Sequence, residues 1–402
     1  MKKSVSILLA ALSFNALSAQ VPDTTGLYSE RKDTLPAVSV SAGQGNYVSR
    51  LKDMKTEVIS AAGLCKMACC NLAESFENSS SVTVGYSDAV TGARQIRLLG
   101  LSGTYTQMLD ENRPVMRGLS APWGLNFVPS QWLESIQIAK GVTSVINGVE
   151  SMTGQINMEH RKPTDEKPLY VTASYMNDTK ADLNIVSALQ FDELSTWSTV
   201  MLAHVDGNFK TMDMNGDGFM DDPIVTQYNV FARYNYANET WFEGMWGVKA
   251  LQEDRYSGQM DFKPNKENID NLYGISIKTK RIEAFSKTGF MFKRHDTSLG
   301  IQQQFTYHDL DSYFGPTTYD ASQISYYANA LFDSYIVGEH HKYSVGASYS
   351  YDKYDENLND STFKRVENVP GVFAEYVFSD EPKAYTITPV KEGDFNGSEV
   401  FT

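Results

Sequence analysis

Residues 169–176 read Leu-Tyr-Val-Thr-Ala-Ser-Tyr-Met, and that two-residue alternation recurs almost to the end of the chain. Leu169, Val171, Ala173 and Tyr175 fall on one face; Tyr170, Thr172, Ser174 and Met176 fall on the other. Period-two patterning makes strands, because successive side chains in a strand point to opposite faces. The stretches lie near 168–177, 182–191, 196–206, 225–236, 241–252, 270–293, 298–309, 322–336, 341–353 and 367–379. The 270–293 run is long enough to be two strands with a turn near Arg281. Tyr228, Val230, Ala232, Tyr234 and Tyr236 oppose Gln227, Asn229, Phe231, Arg233 and Asn235. Tyr343, Val345, Ala347, Tyr349 and Tyr351 oppose Ser344, Gly346, Ser348, Ser350 and Asp352. Short breaks near 192–195, 238–239, 293–297 and 337–340 alternate with long ones at 207–224, 253–269, 310–321 and 354–366. A soluble sandwich also alternates. Short turns at one end and long loops at the other favour a transmembrane barrel, with the first set of each pair facing lipid and the second the lumen.

The address agrees. Residues 1–20 have the form of a secretory signal peptide: Lys2 and Lys3, an apolar run from Val5 to Leu12, and Leu17-Ser18-Ala19 as the cleavage site. Nothing else approaches the ~18 consecutive apolar residues of a spanning helix. A secreted chain of alternating strands is expected in the cell outer membrane, with outer-membrane lipid as a partner. The net charge of −14 argues against a nucleic-acid partner. The cysteines are Cys65, Cys69 and Cys70. An odd number defines no disulfide framework. Cys65 and Cys69 share a face if helical; small buried residues, or one pair and a spare thiol, is the simplest reading.

Residues 21–62 are polar and poorly periodic, a flexible N-terminal segment. Residues 63–162 read as a compact α+β unit. It has a helix over 71–78, strands over 95–99, 105–109, 132–138 and 154–159, and a turn at Asn112-Arg113-Pro114. It holds no Gly-Xaa-Ser-Xaa-Gly elbow, no phosphate loop and no nucleophile with a base, so no enzyme is expected. His160, its one histidine, reads as a surface residue.

Asp213, Asn215, Asp217, the Phe219 carbonyl and Asp221 have the oxygen spacing of a calcium loop, with Gly218 permitting the sharp turn. Ile224 stands where an EF-hand has its bidentate Glu, so Asp352, Asp355 or Asp360 would have to complete the shell. A solvated acidic loop is the alternative.

Several segments together resemble a TonB-dependent outer-membrane receptor. Asp33-Thr34-Leu35-Pro36-Ala37-Val38-Ser39-Val40 looks like the TonB box, closest to that of the vitamin B12 receptor type, although Pro36 interrupts it. Ile96 to Gly100 and Met108 to Pro114 look like paired plug strands. Glu134 to Gly141 followed by Ser144 to Asn157 is similar to the most diagnostic plug stretch, with Asn147 and Thr153 departing from its pattern. The resemblance implies an α+β plug domain (63–162) followed by an antiparallel transmembrane β-barrel (163–380). It also implies a TonB-type energising protein in the periplasm as partner, and a surface lipoprotein as a candidate one. The implied activity is energy-coupled import of a scarce nutrient. A corrinoid leads, partly because B12 receptors use calcium in outer loops; a ferric siderophore or other metal complex is the alternative cargo. A passive porin or adhesin is the reading from another class. Trp123, Asn126 and Phe127 at the plug apex would contact ligand, or the two rings would anchor the plug.

Barrels of this family close with about twice the strands counted here. The alternation fades after Phe378, and residues 381–402 are polar and turn-rich. The expectation is therefore a truncated receptor with an incomplete barrel of about ten strands, its last residues out of frame, or a non-functional fragment.

Overall fold

The structure is a computed structural model describing residues 46–49, 56–67, 71–77, 79–88, 90–141, 143–148, 150–163, 168–176, 179–191, 196–238, 241–265, 271–294, 296–336 and 340–378. The expected signal peptide, the TonB box Asp33 to Val40, Cys69, Cys70 and residues 381–402 lie outside the described residues.

Among the described residues, the N-terminal part holds nine strands. They are β1 (Asn46–Ser49), β2 (Thr56–Ser60), β3 (Val82–Asp88), β4 (Ala93–Leu98), β5 (Leu101–Ser102), β6 (Thr106–Asp110), β7 (Arg113–Pro114), β8 (Leu133–Lys140) and β9 (Gly154–His160). Two helices, α1 (Ala61–Met67) and α2 (Leu72–Ser75), lie between β2 and β3. Asn71 caps α2, its side chain accepting the Glu74 N–H at 3.2 Å. Six strands form one sheet in the order β1-β2-β8-β9-β6-β7, and β3-β4-β5 form a second. Their core is one apolar cluster that includes Ile59, Leu72, Phe76, Leu98, Leu133, Ile136, Ile138 and Ile156. The unit thus begins before residue 63: β1 and β2 arise within the stretch read as flexible. The alternation in Thr56-Glu57-Val58-Ile59-Ser60 is too short to stand out, and pairing with β8 makes the strand.

The second part is one ten-stranded antiparallel sheet in strict chain order: β10 (Leu169–Met176), β11 (Lys180–Gln190), β12 (Trp197–Asn208), β13 (Ile224–Asn238), β14 (Phe242–Gly258), β15 (Gly274–Met291), β16 (Ser298–Phe314), β17 (Thr317–Tyr335), β18 (His341–Leu358) and β19 (Ser361–Phe378). All ten expected stretches are strands. The 270–293 run is the single strand β15, paired with β14 through Arg281↔Leu251. The long breaks at 310–321 and 354–366 are instead strand ends closed by tight turns: β16 runs to Phe314 before Gly315, and β18 to Leu358 before Asn359. Gly315 and Asn359 both take positive φ, which such turns require. The reading stopped those strands early because Asp309, Asp311, Asp355 and Glu356 carry no apolar face. A strand end beyond the lipid needs none.

The expected faces hold. Tyr228, Tyr234, Val248, Ile282, Phe305, Val345 and Tyr349 are exposed on the outer face, while Gln227, Asn229, Arg233 and Asn235 are buried on the inner one. At the short-turn end, outer-face aromatics touch from strand to strand: Trp197–Tyr236 at 4.6 Å, Tyr236–Phe242 at 5.7 Å, Phe242–Phe290 at 5.3 Å and Phe332–Tyr343 at 6.3 Å between centroids. Amphipathic rings gather in this way at a membrane–water boundary. No helix among the described residues is long and apolar enough to cross a membrane.

Candidate functional site at the plug seam

The inner face of the sheet is occupied by the N-terminal unit. Apolar contact supplies part of the fit: Trp132 packs with Val186, Val200, Leu202, Phe231, Met245 and Phe285. The chemistry gathers around one hairpin. β6 pairs in parallel with β9, then turns back through Glu111 and Asn112 to pair Asp110 with Arg113. Both turn residues have positive φ, 50° and 64°. A two-residue turn of this hand suits Asn but strains Glu. The Asn112 N–H is held by Asn157 Oδ1 at 2.9 Å and the Glu111 N–H by Met158 O at 2.8 Å.

The turn drives two carboxylates into the sheet, where cations meet them. Arg233 Nη1 donates to Glu111 Oε1 at 2.5 Å, and both side chains are almost wholly buried. Arg233 Nη2 donates to Arg161 O at 2.7 Å, and Lys287 Nζ to Glu111 O at 3.2 Å. Lys249 Nζ donates to Asp110 and lies 2.9 Å from His160 Nε2. His160 Nε2 is also 3.0 Å from Asp110 Oδ1. Arg113 sits 3.6 Å over the Phe285 ring with Nη2 3.4 Å from Asp110.

Electrostatics follow from these contacts. Burial opposes ionisation of Asp110, but the Lys249 and Arg113 charges beside it hold the carboxyl well below its ordinary value. For Glu111 burial again opposes ionisation; Arg233 and Lys287 prevail, lowering it to about 2. Burial and the Lys249 charge lower His160 against the pull of Asp110, so the ring is neutral and can accept from Lys249. A cavity of about 70 Å³ adjoins this cluster, lined by Asp110, His160, Lys249, Arg281, Glu283 and Met116 among others.

His160 is thus no surface residue; β9 carries it into the seam, at 2% exposure. Trp123 and Phe127 are brought to the seam too, but their rings are buried, packed with Leu251, Ile277, Leu310 and Tyr354. Asn126 is half-buried; its amide donates to Gly92 O at 3.4 Å, and its carbonyl accepts from Gln227. Cys65 is exposed rather than buried, on α1.

The loop expected to hold calcium lies apart, exposed, with its oxygens turned to its own backbone. Asp213 Oδ1 accepts the Gly216 and Asp217 N–H groups at 2.7 and 3.1 Å, and Oδ2 accepts Gly218 at 2.9 Å. Asn215 accepts Asp217 N–H, Asp217 accepts Phe219 N–H, and Asp221 accepts Met214 N–H. Among the described residues no three or more His, Cys, Asp or Glu side chains stand together in a metal-holding group. The calcium expectation rests on the spacing of these oxygens.

Sequence reading missed the cations of the seam. Their signal was present: Arg233, Lys249 and Lys287 all lie in the inward register, where a charge needs a partner.

The comparisons bear on this arrangement directly. Residues 50–155 match the TonB-dependent receptor plug domain. They form such a plug. The whole fold is similar to solved outer-membrane receptors. The ferripyoverdine receptor of Pseudomonas aeruginosa is 13% identical, with a TM-score of 0.60 over 80% of this chain and 45% of that one. The ferric enterobactin receptor of Pseudomonas aeruginosa is 13% identical, with a TM-score of 0.64 over 81% and 55%. The ferric yersiniabactin uptake receptor of Yersinia pestis is 12% identical, with a TM-score of 0.54 over 80% and 61%. The chain therefore spans about half the length of the receptors it resembles. No protein of curated function matches it significantly. A receptor plug, a lipid-facing sheet and an aromatic boundary belong to the outer membrane, and that is the location of this protein.

Proposed function

We propose that this protein is a TonB-dependent importer, with a ferric siderophore as its cargo class. One observation carries the reading: a receptor plug is seated on the inner face of a lipid-facing sheet, with buried ion pairs between two apolar clusters. No nucleotide is at hand outside the inner membrane, so release draws force from an energising protein across the periplasm. The box Asp33 to Val40 is the segment proposed for that grip.

The three solved relatives named above are receptors for ferripyoverdine, ferric enterobactin and ferric yersiniabactin, and this supports a ferric siderophore over the corrinoid. The corrinoid reading has only the box likeness and the 213–221 spacing behind it.

The test is uptake of radiolabelled ferric siderophores and cobalamin by a double-membrane host lacking its own receptors and expressing the full chain. The proposal expects iron uptake that collapses with the proton-motive force and with Leu35→Pro. Uptake indifferent to both would identify a passive pore; cobalamin uptake alone would restore the corrinoid.

A further inference from the structure

The outer face of the sheet changes chemistry along its strands, and it does so on one side only. On β10–β13 that face carries no charged residue from end to end; Tyr175, Leu183, Val205 and Tyr228 belong to it. On β14–β17 the same face is uncharged from the aromatic boundary up to the cross-strand row Ala250, Ile282, Tyr307 and Ile324. Beyond that row, away from the short turns, charge begins on all four strands within two steps: Asp254 on β14, Lys280 and Lys278 on β15, Asp309 and Asp311 on β16, and Asp320 on β17. A lipid-facing surface ends where charge begins, so this line marks the level of the outer-leaflet headgroups.

Four of these side chains make a square. Lys278 stands opposite Asp311 in the register, and Lys280 opposite Asp309. The two lysines lie about 7 Å apart along β15, and so do the two aspartates along β16. Both lysines are exposed, and neither forms an ion pair among the described residues. Asp254 and Asp320 extend the row of Lys278 on its two sides. Lysine stems can lie along the apolar rows below while the ammonium groups stay in the headgroup layer. Ammonium groups at that level attract lipid phosphate. The surplus of carboxylates repels a bare anion and draws in divalent cations.

We propose that this square is a lipid site. A phosphate of an anionic outer-leaflet lipid sits between Lys278 and Lys280, and a divalent cation joins that phosphate to Asp309 and Asp311. Two carboxylates alone make a poor cation cage; the lipid oxygens complete the shell. The uncharged β10–β13 face has no such grip, so the lipid occupies one sector of the sheet. The site rests on the outer-membrane location and is independent of the cargo.

Native mass spectrometry of the full chain in neutral detergent micelles tests the site, with diphosphoryl lipid A as the probe. Lipid A should stay bound with magnesium present and be largely lost when the metal is chelated. The double variant Lys278→Gln with Lys280→Gln should bind it about tenfold or more weakly, whereas Lys278→Arg with Lys280→Arg should retain it. Asp309→Asn with Asp311→Asn should bind lipid A alike with and without magnesium. Native-level binding by the glutamine variant would overturn the proposal, and so would equal retention of phosphatidylcholine. Displacement by inorganic phosphate would overturn it too, since the patch would then take free anions. The native chain gives a reading that needs no variant to fold: retention should fall as salt rises. Retention indifferent to both salt and magnesium would mean that acyl chains alone hold the lipid, against the proposal.

Discussion

Two acidic turns in this protein meet opposite fates. Asp213 to Asp221 lies exposed and spends its oxygens on its own backbone N–H groups. Asp110-Glu111 is buried and spends its oxygens on cations from the sheet. Both turns contain residues of positive φ, but Gly216 and Gly218 supply them in the exposed loop, whereas Glu111 must adopt one in the buried hairpin. A turn that satisfies itself needs no partner across the seam. A strained turn whose charges find partners across a seam as well as beside it is a latch, and its strain is held by the contacts it makes.

Breaking the latch should have the largest effect. Glu111→Ala leaves Arg233 buried without its carboxylate, and that loss costs about 3–5 kcal/mol. The denaturant midpoint for plug undocking, followed by Trp132 fluorescence, reads it. Glu111→Gly should cost about 1 kcal/mol less than Glu111→Ala, since glycine accepts the left-handed turn freely. Identical costs would mean that the turn is not strained.

Acid should weaken the seam in two windows. His160 is held neutral, with a folded value below its ordinary 6.5. Its contribution is complete above 6.5 and erodes as pH falls below it, because the unfolded ring takes the proton first. Glu111 is lowered from 4.5 to about 2, so its contribution is complete above 4.5 and is lost as pH falls towards 2. The undocking midpoint against pH should fall in both windows, and His160→Gln should remove the upper one alone.

The exposed turn should matter least. Asp213→Ala removes acceptors for three backbone N–H groups, but water replaces them, so the cost is about 0.5–1.5 kcal/mol and stays local. Faster exchange confined to 214–220 would show it. Calcium titration sharpens the contrast: a rise in Tm present in the native chain and absent in Asp213→Ala would make this loop a cation site after all.

The contrast also explains what could be read from the sequence. The ten strands were legible because an inner and an outer face impose period two over long stretches. The plug was legible through Glu134 to Gly141 and its neighbours. The calcium-like loop drew notice because its signal is local, six oxygen-bearing or glycine positions within nine residues. The latch is non-contiguous: Asp110 and Glu111 meet Arg233, Lys249 and Lys287, which lie more than a hundred residues away, and no local pattern joins them. His160 was misread for the same reason. At the end of a strand it resembles a boundary residue until β14 is laid across it. β16 and β18 were cut short because their ends leave the lipid and lose the apolar face on which the reading depended.

The central claim is that charge across the seam holds the plug, and a double-mutant cycle on Glu111 and Arg233 tests it most directly. Glu111→Gln, Arg233→Gln and the double variant would be compared by the denaturant midpoint for plug undocking. A coupling energy of about 1–3 kcal/mol is predicted, the double variant being less damaged than the two single losses added together. Additive losses, with coupling near zero, would contradict the latch and leave the plug held by packing alone.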